Sequence, residues 1–122
     1  MKEEQIINYM TTKKYIENKY LCWDFVQDVY EDMFNYRLPD YPAGEVPAEF
    51  KNRLKTNLLY DRVEKENAQE GDLVIFSMFS DQHAGLMLNN NDFIHLTNTT
   101  VAVSQLNNLG ANYAIYRIIR EN

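Results

Sequence analysis

The chain has 122 residues, 18 acidic and 12 basic side chains, and a formal net charge of −6. This length suits one domain spanning 1–122, and a 45% hydrophobic fraction with nine Tyr, six Phe and one Trp excludes a disordered chain. The acidic balance excludes a non-specific nucleic-acid binder, which needs a basic face to displace counterions, and a single cysteine excludes an intrachain disulfide or an all-thiolate metal cage.

No apolar run approaches the ~20 residues that span a bilayer, so no membrane insertion is expected. The polar start Met1-Lys2-Glu3-Glu4-Gln5 is unlike a secretory signal, so synthesis in a cytoplasm is expected, with any export by another route.

Ile6, Ile7, Tyr9 and Met10 form a short apolar cluster that predicts one helix face. From Cys22 to Phe34 the apolar residues fall at 22, 25, 26, 29, 30, 33 and 34. This spacing predicts an amphipathic helix with one buried stripe, and charged residues 24, 28, 31 and 32 lie mostly off it. Two prolines and a glycine between Leu38 and Gly44 mark a loop. A more polar helix is predicted from Pro47, a good first-turn residue, towards Leu59.

The second half has β character. Strands are predicted over 72–79, 83–88, 92–97, 100–105 and 113–119, with Asn89-Asn90-Asn91 as a hairpin turn. Short links between successive strands predict an antiparallel meander. Helices first and strands after predict an α+β domain, with N-terminal helices packed on a C-terminal antiparallel sheet of about five strands.

One Cys and two His make the search for a nucleophile and base short. Cys22 opens the amphipathic helix, where the positive end of the helix dipole favours thiolate; a small buried hydrophobe is the alternative. His83 and His95 lie twelve residues apart across the Asn turn. Strand alternation in a hairpin without a bulge puts both on one face, directly opposite or diagonal. Two unrelated polar positions on a solvated face are the alternative. Together the three fit a thiol nucleophile, a base and a third group that fixes the base's tautomer. Two His and one Cys also fit zinc, but no carboxylate-rich second shell is visible, and no metal or other cofactor is expected.

The segment Cys22-Trp23-Asp24-Phe25-Val26-Gln27-Asp28-Val29-Tyr30, with Leu38-Pro39-Asp40-Tyr41 after it, resembles the nucleophile helix of the NlpC-type (NlpC/p-sixty) cell-wall cysteine peptidases. It is most similar to their phage tail-tip assembly branch. Glu70-Gly71-Asp72-Leu73-Val74-Ile75-Phe76 is similar to the family's Pro-Gly-Asp-Leu-Val-Phe-Phe strand. His83-Ala84-Gly85-Leu86-Met87-Leu88 resembles its His-Val-Gly-Ile-Tyr-Leu strand, and Phe93-Ile94-His95 its Phe-Ile-His. The order and spacing of these pieces carry the resemblance, which runs from about residue 13 to the last strand. Three positions depart from the pattern: Leu21 replaces an Asp, Asp24 replaces a Gly, and Asn18-Lys19 replaces Gly-Gly.

The resemblance implies a papain-like fold and a Cys22, His83, His95 triad. It puts Tyr15 and Trp23 on the oxyanion and substrate-binding side. It implies hydrolysis of peptide bonds in bacterial peptidoglycan stem peptides, commonly between D-Glu and the diamino acid, by a protein made in the bacterial cytoplasm. Other phage tail-tip proteins are implied partners. The departures at Leu21 and Asp24 leave open a structural tail-tip protein without activity, and a papain-like cell-wall amidase is a third reading.

Overall fold

The computed structural model describes residues 1–40, 59–78 and 81–120. Helix α1 spans Glu3–Thr12 and α2 spans Cys22–Phe34. Six strands come after them: β1 (Tyr60–Val63), β2 (Leu73–Met78), β3 (Asp81–Met87), β4 (Asp92–Leu96), β5 (Val101–Gln105) and β6 (Tyr113–Ile118). The helix expected from Pro47 to Leu59 falls almost wholly outside the described residues, as do Phe79 and most of the Leu38–Gly44 loop. No helix among the described residues is long and apolar enough to cross a membrane.

The strands form one antiparallel sheet in the order β1-β6-β2-β3-β4-β5. The run β2 to β5 is the expected meander. The last strand is not its continuation: after a short 3-10 turn at Leu106–Leu109, β6 returns to pair with the far side of β2. Strand β1, absent from the sequence expectation, then pairs with β6 at the edge. Its Tyr-Asp-Arg-Val sequence buries only Val63, so it carries no clear alternation to read.

The sheet is buried on both faces. Helix α2 packs Phe25, Val26, Val29 and Tyr30 against Leu73, Ile75, Ala84, Leu86 and Ile94. The opposite face carries a second cluster of Val74, Phe76, Met87, Phe93, Leu106 and Ile115. Burial on both sides explains why 73–76 reads as an unbroken apolar run rather than an alternating one. In α1 only Tyr9 is fully buried; Ile7 is 53% exposed and leaves the predicted apolar face.

Two parts of the Gly71-Asp72 motif are structural. Gly71 has φ +94°, and a Cβ there would lie 2.3 Å from Cζ of Phe34, so only glycine fits between backbone and ring. The carboxylate of Asp72, 2% exposed, accepts hydrogen bonds from Arg117 Nε at 2.8 Å and Nη2 at 2.9 Å, and from the Gln69 N–H at 3.0 Å. A bidentate fork of this kind satisfies a buried carboxylate that would otherwise be costly.

Helix α2 also anchors the Leu38–Asp40 segment beyond its C-terminus. The indole N–H of Trp23 donates to the Pro39 carbonyl at 2.8 Å. Gln27 lies one turn further on, and its amide nitrogen faces the Leu38 and Pro39 carbonyls at 3.0 and 3.1 Å and Asp40 Oδ1 at 2.7 Å. Both side chains are buried although neither belongs to the predicted stripe.

Candidate active site

Cys22 is the first residue of α2 and is partly buried. The helix starts without a side-chain cap from Leu21. The Asp24 carboxylate accepts the Leu21 N–H at 2.8 Å. That is the second half of a capping box: it serves the N–H before the helix and leaves the first-turn N–H groups without a side-chain oxygen from Leu21. Upstream, Asn18 has φ 64°, the left-handed conformation that glycine adopts freely and asparagine tolerates. Asn18 thus occupies a backbone conformation in which glycine would be unstrained.

The histidines are diagonal neighbours. His95 pairs with Gly85, two residues along β3 from His83, so both imidazoles project from the same face. That face is not solvated at His95, which is 4% exposed. Phe76, a member of the second cluster, touches both rings: His83 stacks on it with centroids 5.6 Å apart, and His95 meets it edge-on at 5.6 Å. Phe93 packs on His95 at 5.0 Å. Position 85 carries no side chain, and a Cβ there would press on Phe93 Cδ2 at 2.9 Å and His95 Cβ at 3.2 Å. Glycine thus keeps the space beside His95 open.

Helix α2 packs on the other face of the sheet, the one bearing Ala84 and Leu86. The thiol nevertheless reaches strand level. Leu88 donates to Asp92 across the β3–β4 turn, so alternate residues 88, 86 and 84 direct their N–H groups to the β4 side. The register with β4 stops at Gly85–His95, and the next N–H on that side, that of Ala84, goes to the Cys22 sulfur. The sulfur therefore sits where β3 and β4 part, close enough to the Ala84 N–H for that dipole to favour thiolate.

The electrostatics differ from the expectation of a lowered thiol pKa. Burial pushes the Cys22 thiol up from its ordinary value; the N–H groups of Ala84, Trp23 and Cys22 itself oppose this, and the Asp24 carboxylate adds to the rise. The helix-start donors are present, but desolvation outweighs them. Burial, with a smaller effect from His83, pushes His95 down from 6.5 to about 4, so it is neutral near pH 7. Its Nε2 lies 2.8 Å from Ser104 Oγ on β5, a contact that sequence spacing did not suggest.

Tyr15 and Trp23, expected on the oxyanion and substrate-binding side, differ in exposure. Tyr15 is 38% exposed in the connection before α2, and among the described residues no hydrogen bond or ring contact ties it to Cys22 or either histidine. The Trp23 side chain is 1% exposed, turned inward and bonded to Pro39, so the part of Trp23 that faces the site is its backbone N–H. Among the described residues no group of three or more His, Cys, Asp or Glu is arranged to hold a metal ion.

Comparison with curated proteins finds no match to this chain. Residues 9–120 match the NlpC/P60 family, a span that holds both ends of the site, from α2 to the last strand. With that match over most of its length, and with an α+β fold consistent with the family's papain-like architecture, the chain belongs to the NlpC/P60 family.

Proposed function

We propose that this protein is a cysteine endopeptidase that cleaves peptide bonds in the stem peptides of bacterial peptidoglycan. Family membership points to cell-wall peptidase or amidase activity. The observation that carries the finer reading is the Ala84 N–H on the Cys22 sulfur, one peptide group from His83, whose diagonal neighbour on the sheet is His95. In the proposed mechanism the thiol is neutral at rest. His83 takes its proton as the sulfur attacks the scissile carbonyl, and the Cys22 N–H stabilises the oxyanion. His83 then returns the proton to the leaving amine, and water hydrolyses the thioester. His95, neutral and buried, orients His83.

The test is digestion of purified cell wall, with products identified by mass spectrometry. Cys22→Ser and His83→Ala should each lower the rate by roughly 10³-fold or more, and the double variant should be no worse, because nucleophile and base act as one unit. Undiminished clearing by Cys22→Ser would overturn the nucleophile assignment. Products cut at the sugar–peptide amide would favour the amidase instead.

The tail-tip likeness is a finer proposal. It draws on Leu38-Pro39-Asp40, the segment held by Trp23 and Gln27. Neighbouring genes for tail or tape-measure proteins would support it, and a chromosomal context without them would count against it. A purely structural tail-tip role predicts a thiol inert to electrophiles at neutral pH.

A further inference from the structure

We propose that Ser104 is a positioning residue of this site: its hydroxyl accepts the Nε2 proton of His95, holding His95 as the tautomer whose bare Nδ1 receives a hydrogen bond from His83. The inference rests on the Cys22–His83–His95 reading above.

The geometry is specific. Ser104 faces Phe93 directly across the β4–β5 pair, and His95 faces Ala102, so Ser104 is the diagonal neighbour of His95 on the same face. The small Ala102 leaves the imidazole free to lean towards Ser104, and Nε2 and Oγ are 2.8 Å apart. Phe76 and Phe93, which pack on the ring, offer no hydrogen-bonding group. Ser104 Oγ is therefore the hydrogen-bond partner of His95 at Nε2.

A neutral imidazole carries one proton on two nitrogens, and a bond at one nitrogen decides the state of the other. Were the hydroxyl to donate, the proton would sit on Nδ1 and His95 would present a donor to His83. A base that must keep one nitrogen free for the thiol needs an acceptor behind it, so the opposite polarity fits the site. Ser104 is only partly buried, which leaves its own proton free to bond solvent.

The chain has only two histidines, so nitrogen-15 NMR of labelled histidine reads the His95 tautomer directly, with His83→Ala assigning the signals. In the wild type His95 should be protonated at Nε2 and bare at Nδ1. Ser104→Ala should mix the two tautomers and lower kcat about tenfold with KM unchanged, the loss expected for one hydrogen bond. Ser104→Thr keeps the hydroxyl and should restore both readouts. A wild-type Nδ1–H tautomer, or populations unmoved by Ser104→Ala, would overturn the inference whatever the activity. Mixed tautomers with a wild-type rate would overturn the positioning role and leave the hydrolase reading intact. A wild type inert on cell wall whose tautomer still responds to Ser104 would overturn the hydrolase reading and the catalytic purpose of the bond, leaving only the tautomer lock.

Discussion

The backbone N–H of Ala84, a strand group just beyond the end of the β3–β4 register, lies beside the Cys22 sulfur and favours its thiolate. The start of the helix thereby meets the sheet at the residue proposed as nucleophile. The thiol's position depends on where the β3–β4 ladder stops, and its reactivity depends on how far burial is offset by nearby N–H groups.

Asp24 contributes both a cap and a charge, and the two are separable. Asp24→Asn keeps an oxygen for the Leu21 N–H and removes the charge that raises the Cys22 pKa. Alkylation of Cys22 by iodoacetamide near neutral pH should therefore speed up, with thermal stability almost unchanged. Asp24→Gly should also speed alkylation, but it should cost about 1 kcal/mol through the lost bond to the Leu21 N–H and the poorer helix propensity of glycine. A slower reaction in Asp24→Asn would mean that the carboxylate helps the thiolate instead of opposing it.

Substitutions at His95 should grade by what they accept. His95→Asn and His95→Gln retain an oxygen for a His83 N–H and should keep part of the activity. His95→Ala and His95→Phe cannot accept and should lose roughly 10³-fold. A zinc ligand would instead make all four variants equally poor and the wild type sensitive to chelator. Rates on purified cell wall, with and without chelator, decide between these outcomes.

The buried His95 also predicts a pH dependence of stability. Its pKa falls from 6.5 to about 4 on folding, chiefly through burial and secondarily through His83. The unfolded chain therefore binds the proton first. Stability from this group is complete above pH 6.5 and is lost as pH falls towards 4, by roughly 3 kcal/mol in all. Urea midpoints at pH 7 and pH 4.5 should fall further for the wild type than for His95→Gln. Equal falls would show that the fold does not resist protonating His95.

Gly71 and Phe34 should be energetically coupled. Gly71→Ala forces a Cβ into the Phe34 ring at a positive φ and should cost roughly 2–4 kcal/mol by urea unfolding. Adding Phe34→Leu removes the clash but not the backbone strain, so the double variant should be more stable than the sum of the single losses implies. Strict additivity would show that ring and glycine do not press on one another.

Local signals in the sequence determined the helix at 22–34, the five strands from residue 72 onwards and the shared face of His83 and His95. For the helix and the shared histidine face the signal is a period of a few residues, and for 73–76 it is an unbroken apolar run; both are visible without neighbours. Strand β1 left no such trace, because an exposed edge strand buries too little to show alternation. The return of β6 to β2 lies in the path of the chain between strands, and local periods do not encode that path. Trp23 and Gln27 looked peripheral to the helix stripe until the Leu38–Asp40 segment folded back over them. The Cys22 pKa shows the same division. Its place at a helix start is local and legible, but its desolvation comes from distant elements packing around it, and desolvation sets the direction. The Ser104 contact exists only because β5 lies beside β4 in a particular register. Residue types and their spacing were written in the chain; burial and cross-strand partners, which decide how those residues ionise, arose only when the sheet closed over them.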